Sequence, residues 1–280
     1  MSRKPHHYFS LLLLLAILFL SGCTQAAAPI GTSNPTPEVS IKPELETYFQ
    51  GYTGAFVLYD LTNNQYTRYN PERCAERFIP ASTFKILNSL IGLESGVIPD
   101  ENYVISWDGT EYPYPSWNQD HTLKTAIQNS VVWYYQELAR QVGTEKMQQY
   151  VDAAGYGNQD ISGKIDTFWL EGGLRISADE QIEFLKRLYA GELPFSQRNM
   201  DIVKSILIQE KTDDYRLSGK TGSAQRVAPH TGWFVGYLET QGNVYFFATN
   251  IESTGPDGMA NGETAKQINR TILQRLDLIP

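Results

Sequence analysis

Cysteine is scarce in this chain, whose 280 residues contain only Cys23 and Cys74. Because Cys23 closes an apolar N-terminal stretch, we expect it to be modified there, which leaves Cys74 without a partner for an intrachain disulfide. Histidine is equally sparse. The four histidines are His6, His7, His121 and His230. They show no metal-ligand spacing, so we predict no metal site and a fold that is stabilised by its core.

Positive charge is also limited, with 23 Lys and Arg against 31 Asp and Glu and a net charge of −8. Removing residues 1–22 takes away Arg3 and Lys4, which leaves 21 basic and 31 acidic residues and a net charge of −10. An acidic chain without a basic cluster argues against nucleic acid as a partner. The 41% hydrophobic and 19% charged residues are typical of a globular protein, and we expect one catalytic domain.

Long apolar runs are confined to the N-terminus, where Leu11 to Leu20 is about half the length needed to span a bilayer. With its basic start, the segment 1–22 predicts an export signal. It ends in Leu20-Ser21-Gly22-Cys23, which resembles the lipobox of bacterial lipoproteins, in which the cysteine after the cleavage point carries the lipid. A plain secretory peptide with an incidental cysteine is the alternative.

This resemblance implies an exported lipoprotein that is anchored to the membrane at Cys23 and faces the periplasm or the cell exterior. The stretch from Thr24 to Pro43 is rich in Ala, Pro, Thr and Ser, as flexible tethers are. We therefore divide the chain into a signal peptide (1–22), a lipidated cysteine with a tether (23–45) and a catalytic domain (46–280).

The remaining pattern predicts an α/β fold of the α+β type, with an antiparallel sheet flanked by helices and an inserted all-helical lobe. Alternation favours strands at 55–59, 65–69, 215–221, 232–238 and 243–248. Helical spacing or helix-start signals favour helices at 83–94, within 123–143, and at 146–154, from Ser177, around 201–209 and 263–276.

Ser82-Thr83-Phe84-Lys85 places a hydroxyl and an amine three residues apart at the start of a predicted helix, so that both project from one face. Serine becomes a nucleophile only when a neighbouring group takes its proton, and lysine takes a proton only when it is uncharged. The pattern is typical of acyl transfer. Because S-x-x-K arises by chance in about every second chain of this length, it needs partner motifs.

Four further motifs follow in order. Ser130-Val131-Val132 lies at the opening of a helix, Tyr156-Gly157-Asn158 and Phe168-Trp169-Leu170 lie in predicted loops, and Lys220-Thr221-Gly222 ends a predicted strand. Taken singly, Ser130 is readily read as a helix N-cap and the last motif as a strand ending in a turn. A cation, a hydroxyl and an open backbone at a sheet edge are also suited to holding a carboxylate and a flat amide.

From about residue 50 to its end, this ordered set resembles the class D, oxacillinase-type serine β-lactamases, which share the fold of penicillin-binding transpeptidases. The resemblance implies hydrolysis of β-lactam antibiotics through an acyl-enzyme on Ser82. It assigns catalytic roles to Ser82, Lys85, Ser130 and Lys220, and substrate contacts to Thr221, Gly222, Ser223, Val132, Trp169 and Tyr156. No cofactor is implied except CO₂ or bicarbonate, which carboxylates Lys85 in this family.

Physical chemistry supports that last step, because burial among apolar side chains disfavours the charge of Lys85 and leaves an amine able to capture CO₂. The resemblance further implies that Trp169 shelters the carbamate and that Ser130 relays a proton to the lactam nitrogen. It places the oxyanion between the backbone N–H groups of Ser82 and Ser223.

Two positions depart from the family pattern. Many relatives carry an arginine near the start of the last helix that pairs with the drug carboxylate, whereas this chain has Ala265-Lys266-Gln267 and no arginine before Arg270. Lys220, Lys266 or Arg226 are the candidate replacements. Trp133 stands where several relatives have proline, which we expect to reshape the pocket rim.

Three other functions remain open at this point. A β-lactam sensor would be acylated without turnover, but normally follows a multi-helix membrane domain. A penicillin-binding peptidase would cleave stem peptides and lack the pattern around Tyr156 and Trp169. A solute-binding lipoprotein would form no adduct with penicillin at all.

Overall fold

The computed structural model describes residues 37–254 and 260–280. The strands are β1 (Glu38–Ile41), β2 (Tyr52–Asp60), β3 (Gln65–Tyr69), β4 (Arg77–Phe78), β5 (Val104–Ile105), β6 (His121–Thr122), β7 (Ile176–Ser177), β8 (Ile208–Lys211), β9 (Tyr215–Ala224), β10 (Thr231–Thr240) and β11 (Asn243–Ser253). The α-helices are α1 (Pro71–Ala75), α2 (Lys85–Glu94), α3 (Leu123–Gln128), α4 (Val132–Val142), α5 (Thr144–Ala154), α6 (Ala178–Ala190), α7 (Gln197–Ile206) and α8 (Gly262–Arg275). Short 3-10 helices cover Pro43–Phe49, Ala81–Phe84 and Pro115–Trp117.

Seven strands form one sheet in the order β1-β3-β2-β11-β10-β9-β8, in which every neighbouring pair is antiparallel except β1 and β3. The two faces of the sheet bury different residues because side chains alternate along a strand. On β10, Trp233, Val235 and Tyr237 face the core shared with the helical lobe. Phe234 and Leu238 face the core that is completed by α8 and the first 3-10 helix. The predicted sheet with a helical lobe is confirmed.

Helix α2 runs through the centre of the larger core, and every residue from Lys85 to Leu93 is buried. Its polar side chains are hydrogen-bonded, since Ser89 Oγ donates to the Lys85 carbonyl at 2.7 Å and Asn88 Nδ2 donates to the Tyr135 carbonyl of α4 at 3.4 Å. A helix buried on all sides lies in a close-packed environment of low compressibility. It is therefore a rigid support for the residues at its first turn.

The predicted helix start at Ser177 is confirmed by a capping box. Ser177 Oγ accepts from the backbone N–H of Glu180, and the Glu180 carboxylate accepts from the backbone N–H of Ser177. The predicted helical stretch 123–143 is divided between α3 and α4, because Ser130 adopts a left-handed backbone with φ of 53°. The helix expected around 201–209 begins earlier, at Gln197, and Ile208–Lys211 is strand β8 instead.

The ordered fold begins before the predicted domain boundary at residue 46. Strand β1 and the start of the first 3-10 helix lie within the segment 23–45 that we assigned to the tether, because β1 pairs in parallel with β3 from Glu38 to Ile41. The predicted signal peptide, the lipidation site at Cys23 and the tether up to residue 36 lie outside the described residues. None of the helices in the described part of the chain is long and apolar enough to cross a membrane.

Cys74 is completely buried, and its Sγ lies 3.2 Å from the Tyr69 carbonyl oxygen and 3.6 Å from that of Phe56. Burial raises the pKa of its thiol to about 12, so the thiolate is not formed near neutral pH. This cysteine is a packing residue and belongs to no disulfide.

Candidate active site

A tight turn before α2 presents Ser82. Ala81, just before it, has a left-handed backbone with φ of 48°, and its N–H donates to the Trp169 carbonyl at 3.0 Å. Thr83 Oγ1 donates back to the Pro80 carbonyl at 2.8 Å and accepts from Gln181 Nε2 at 2.9 Å. These bonds hold a conformation that a non-glycine residue adopts only at a cost. They fix the position of the Ser82 side chain.

Lys85 lies one turn after Ser82, and its Nζ is 2.7 Å from Ser82 Oγ. The lysine is 0% exposed. Burial holds the pKa of Lys85 well below its ordinary value, and the positive charges of Lys220 and Arg226 lower it further. The ammonium is therefore disfavoured relative to the neutral amine, which is the form that can accept the hydroxyl proton.

Aromatic rings enclose this pair. Phe84 stacks on Trp169 with ring centroids 5.5 Å apart and packs edge-on against Phe168 at 5.1 Å and Tyr156 at 5.7 Å. The Lys85 amine lies 5.3 Å from the centre of the Tyr135 ring. The buried Trp169 Nε1–H has no hydrogen-bond partner among the described residues. A buried donor without an acceptor is costly, so this N–H is a place where an added acceptor is stabilised.

Ser130 lies in the turn between α3 and α4, and its Oγ accepts a hydrogen bond from Lys220 Nζ at 3.0 Å. Lys220 also donates to the Thr221 carbonyl at 2.9 Å and is only 3% exposed. Burial, with a smaller contribution from the charge of Lys266, lowers the pKa of Lys220 to about 7. Lys220 therefore exchanges its proton near neutral pH, which suits a group that assists proton transfer.

Strand β9 carries the Lys220-Thr221-Gly222 motif along the site. Strand β8 pairs with β9 only as far as Ser218, so the edge of β9 beyond Gly219 has no strand partner in the ranges described. A Cβ at Gly222 would lie 3.0 Å from the Pro80 carbonyl oxygen. Glycine thus lets the strand approach the turn of Ser82 and leaves an open edge on which an amide can align.

The pieces meet in a cleft of about 670 Å³, a size suited to a small ligand. Its lining residues are Ser82, Tyr114, Ser116, Trp117, Asn129, Ser130, Val132, Leu170, Thr221, Ser223, Gln225, Arg226, Asn261 and Glu263. Five predicted site residues are among them, namely Ser82, Ser130, Val132, Thr221 and Ser223. Lys85 and Lys220 lie beneath the surface and reach the cleft through the hydroxyls of Ser82 and Ser130.

Trp169 and Tyr156, which we predicted to contact substrate, are both buried, and neither lines the cleft. Their rings pack on Phe84 instead, and Tyr156 Oη accepts from Gln181 Nε2 at 3.3 Å. Gly222 likewise has its place in the packing of β9 and not in the cleft wall. These residues position the catalytic turn.

Of the three candidate cations for a substrate carboxylate, Arg226 lines the cleft, where it pairs with Glu171 at 3.5 Å. Lys266 bonds to Gln209 at 3.2 Å outside the cleft lining, and Lys220 is committed to Ser130 and Thr221. Arg270, the first arginine of the last helix, bonds to Glu210 at 2.6 Å. Of the three candidates, Arg226 is therefore the one that lines the cleft.

The aromatic wall of the cleft was not predicted from the sequence. Tyr114 and Trp117 line it with ring centroids 4.7 Å apart, and the crowding of aromatic residues at 107–117 was the signal. Asn261 and Glu263 also line it, because Ser223 Oγ accepts from the Gly262 N–H at 2.9 Å and draws the start of α8 to the site. Within 37–254 and 260–280, no three His, Cys, Asp or Glu residues are grouped to hold a metal ion.

Comparison with known proteins places this geometry among penicillin-recognising enzymes. Residues 54–274 match the penicillin-binding protein transpeptidase domain family. The chain is 41% identical to the β-lactamase OXA-48 of Klebsiella pneumoniae over 268 residues, which cover 95% of this chain and 100% of that protein.

Solved structures of two related proteins have the same fold as this chain. The class D β-lactamase YbXI from Nostoc superposes with a TM-score of 0.80 at 46% identity, covering 84% of this chain and 99% of that one. The C-terminal domain of the BlaR penicillin receptor of Bacillus licheniformis superposes with a TM-score of 0.82 at 37% identity, covering 89% of this chain and 100% of that one. An enzyme and a receptor thus share this architecture.

Proposed function

The chain belongs to the class D serine β-lactamases, and we propose that it hydrolyses β-lactam antibiotics through an acyl-enzyme on Ser82, with Lys85 as the general base. The observation that carries this proposal is the fully buried Lys85 amine, 2.7 Å from Ser82 Oγ, with its pKa far below the ordinary value. A buried serine–lysine pair at the floor of an open cleft is suited to acyl transfer.

Acylation follows from the contacts in the cleft. Ser82 Oγ attacks the lactam carbonyl while its proton passes to the carboxylated Lys85. The backbone N–H groups of Ser82 and Ser223 stabilise the oxyanion. The C–N bond of the lactam then breaks, and Ser130 gives its proton to the departing nitrogen. Lys220, 3.0 Å from Ser130 Oγ, supports this transfer and restores the proton.

Deacylation needs a base that activates water, and we propose that Lys85 is carboxylated for both steps. Before the substrate binds, its neutral amine attacks CO₂ and releases one N–H proton to solvent. A neutral amine is required to capture CO₂, and the lowered pKa of Lys85 provides it. The unpartnered Trp169 Nε1–H, whose ring stacks on the neighbouring Phe84, is a donor suited to the added oxygens. The carbamate supplies an anionic base, and Trp169 retains it by excluding water.

The substrate carboxylate is assigned to Arg226 and Thr221, which both line the cleft. Arg226 offers a charged donor, and the open edge of β9 gives the ligand amide a strand to align with. Tyr114 and Trp117 provide an apolar wall for the acyl side chain. Glu171 holds Arg226 in place until the ligand arrives.

The testing experiment is intact-protein mass spectrometry after mixing with benzylpenicillin and quenching at successive times. We expect an adduct with the full mass of the drug that disappears as product accumulates over many turnovers, and no adduct with Ser82→Ala. The similarity to the BlaR receptor makes a sensor the second candidate. A stoichiometric adduct that persists would establish the sensor, and no adduct would leave a non-catalytic lipoprotein.

Carboxylation is tested separately. Enzyme that has been acidified, freed of CO₂ and returned to neutral pH should regain activity only after bicarbonate is added, and ¹³C-bicarbonate should give a carbamate NMR signal that Lys85→Ala lacks. Full activity without bicarbonate would refute the carbamate while leaving the Ser82 acyl-enzyme intact.

Export and membrane anchoring through Cys23 remain part of the proposed function, supported by the lipobox-like sequence before it. Cells that express the full chain should incorporate labelled palmitate into the protein, and Cys23→Ser should abolish the label. A labelled Cys23→Ser protein would contradict the assignment.

A further inference from the structure

Two tryptophans tie the wall of the cleft to the turn that carries Ser130. Trp117 Nε1–H donates to the Asn129 carbonyl at 3.0 Å, and Trp133 Nε1–H donates to the Trp117 carbonyl at 2.9 Å. Trp117 belongs to the wall, whereas Trp133 lies in the first turn of α4, just beyond Ser130. We call Trp117 and Trp133 the indole clamp, since each side chain bonds to the backbone of the segment opposite.

The turn at Ser130 needs such support. Its φ of 53° is a left-handed conformation that costs about 1 kcal/mol or more for a residue other than glycine. The Asn129 carbonyl and the Ser130 N–H belong to one peptide plane, so a bond to that oxygen fixes the plane from which φ of Ser130 is set. The indole of Trp117 therefore acts on the orientation of the Ser130 hydroxyl.

His121 supports the indole clamp through contacts with Ser116 and Trp133. His121 is buried, and its Nε2 donates to the Ser116 carbonyl at 2.8 Å while its ring lies 5.8 Å from that of Trp133. Trp133 is 8% exposed, and a hydrogen bond with little solvent around it is stronger than one in water. The loop from 115 to 121 is thus bonded to the α3–α4 region at several points.

We propose that Trp133 is a positioning residue for the acylation step. Through Trp117 and the Asn129 peptide, it holds Ser130 Oγ at the point where it receives a proton from Lys220 and gives its own to the lactam nitrogen. The inference rests on the proposed function, because it needs acylation of Ser82 to be observed. A proline, which we expect at this position in several relatives, has no side-chain donor and could not form this bond.

The test compares wild type with Trp133→Phe, using quenched-flow mass spectrometry with benzylpenicillin. Loss of one hydrogen bond in the clamp should lower the second-order acylation rate constant about five- to tenfold. Deacylation, which depends on Lys85, should be unchanged. Trp107→Phe is the matched control, because Trp107 Nε1–H donates to the Thr110 carbonyl at 2.8 Å and does not line the cleft.

Benzothienylalanine at position 133, which replaces N–H by sulfur and keeps the bicyclic shape, separates the hydrogen bond from packing. A selective loss of acylation in both substituted proteins, absent in Trp107→Phe, supports the clamp. Wild-type acylation in either protein would overturn it, as would equal losses in acylation and deacylation, which indicate general disorder. If the wild type formed no adduct, the proposed function would fail and the clamp with it.

Discussion

Replacing Lys220 by methionine should change how the stability of the fold depends on pH. The folded protein lowers the pKa of Lys220 from 10.5 to about 7 through burial and the charge of Lys266. Between these two values the unfolded chain binds more protons than the folded one, so the free energy of unfolding rises with pH across this window. We therefore expect the buried Lys220 to destabilise the wild type near neutral pH.

The magnitude follows from the shift, since one pKa unit corresponds to about 1.4 kcal/mol. Lys220 lowers the free energy of unfolding by about 4 kcal/mol at pH 7 and by less than about 1 kcal/mol near pH 10. Methionine has a similar length and no charge, and it removes this dependence. The substitution also removes the hydrogen bonds of Lys220 to Ser130 and Thr221, which costs about 1–3 kcal/mol at every pH. The diagnostic quantity is therefore the slope of the unfolding free energy against pH.

The assay is urea unfolding followed by tryptophan fluorescence at pH 7, 8, 9 and 10. The difference in unfolding free energy between Lys220→Met and wild type should shift by about 3 kcal/mol across this range, in favour of the wild type at high pH. Lys124→Met, which changes an exposed lysine, should give a constant difference. The same pair measured in a Lys85→Met background removes the charge coupling between the two lysines.

Parallel stability curves for wild type and Lys220→Met would refute the reasoning. They would mean that Lys220 keeps its proton to high pH in the folded protein, and that it acts in the site only as a fixed positive charge.

Three other substitutions test separate parts of the site. Trp169→Phe removes the unpartnered N–H and should slow deacylation about tenfold or more while acylation is kept; unchanged deacylation would exclude Trp169 from retaining the base. Gly262→Ala places a Cβ 2.9 Å from the backbone N and O of Gly222. It should lower the free energy of unfolding by about 1–3 kcal/mol and reduce kcat/KM. A wild-type melting temperature would contradict this close approach. Arg226→Gln should raise KM for benzylpenicillin about tenfold or more. The free energy of unfolding of Arg226→Gln should differ from wild type by less than about 1 kcal/mol, because the side chains of Arg226 and Glu171 are 45% and 40% exposed. An unchanged KM would mean that another group binds the carboxylate.

Much of the architecture was readable from sequence because its signals are local. Hydrophobic spacing after Phe84 predicted the buried helix α2, and the capping box at Ser177 and Glu180 predicted where α6 begins. Strand β1 escaped prediction because its four residues have a mostly exposed pattern and are defined by pairing with β3. The start of strand β8 was predicted as part of a helix for the same reason, since β8 is defined by its hydrogen bonds to β9.

Sequence by itself determined the chemistry, because a hydroxyl and an amine one helical turn apart meet wherever the helix lies. Tertiary structure decided which groups surround them. Burial lowered the pKa values of Lys85 and Lys220, and the fold placed Trp169 and Tyr156 behind the cleft while it brought Arg226, Tyr114 and Trp117 to its wall. Those outcomes depend on distances between segments far apart in the chain and on the loss of solvent, which no local pattern of residues encodes.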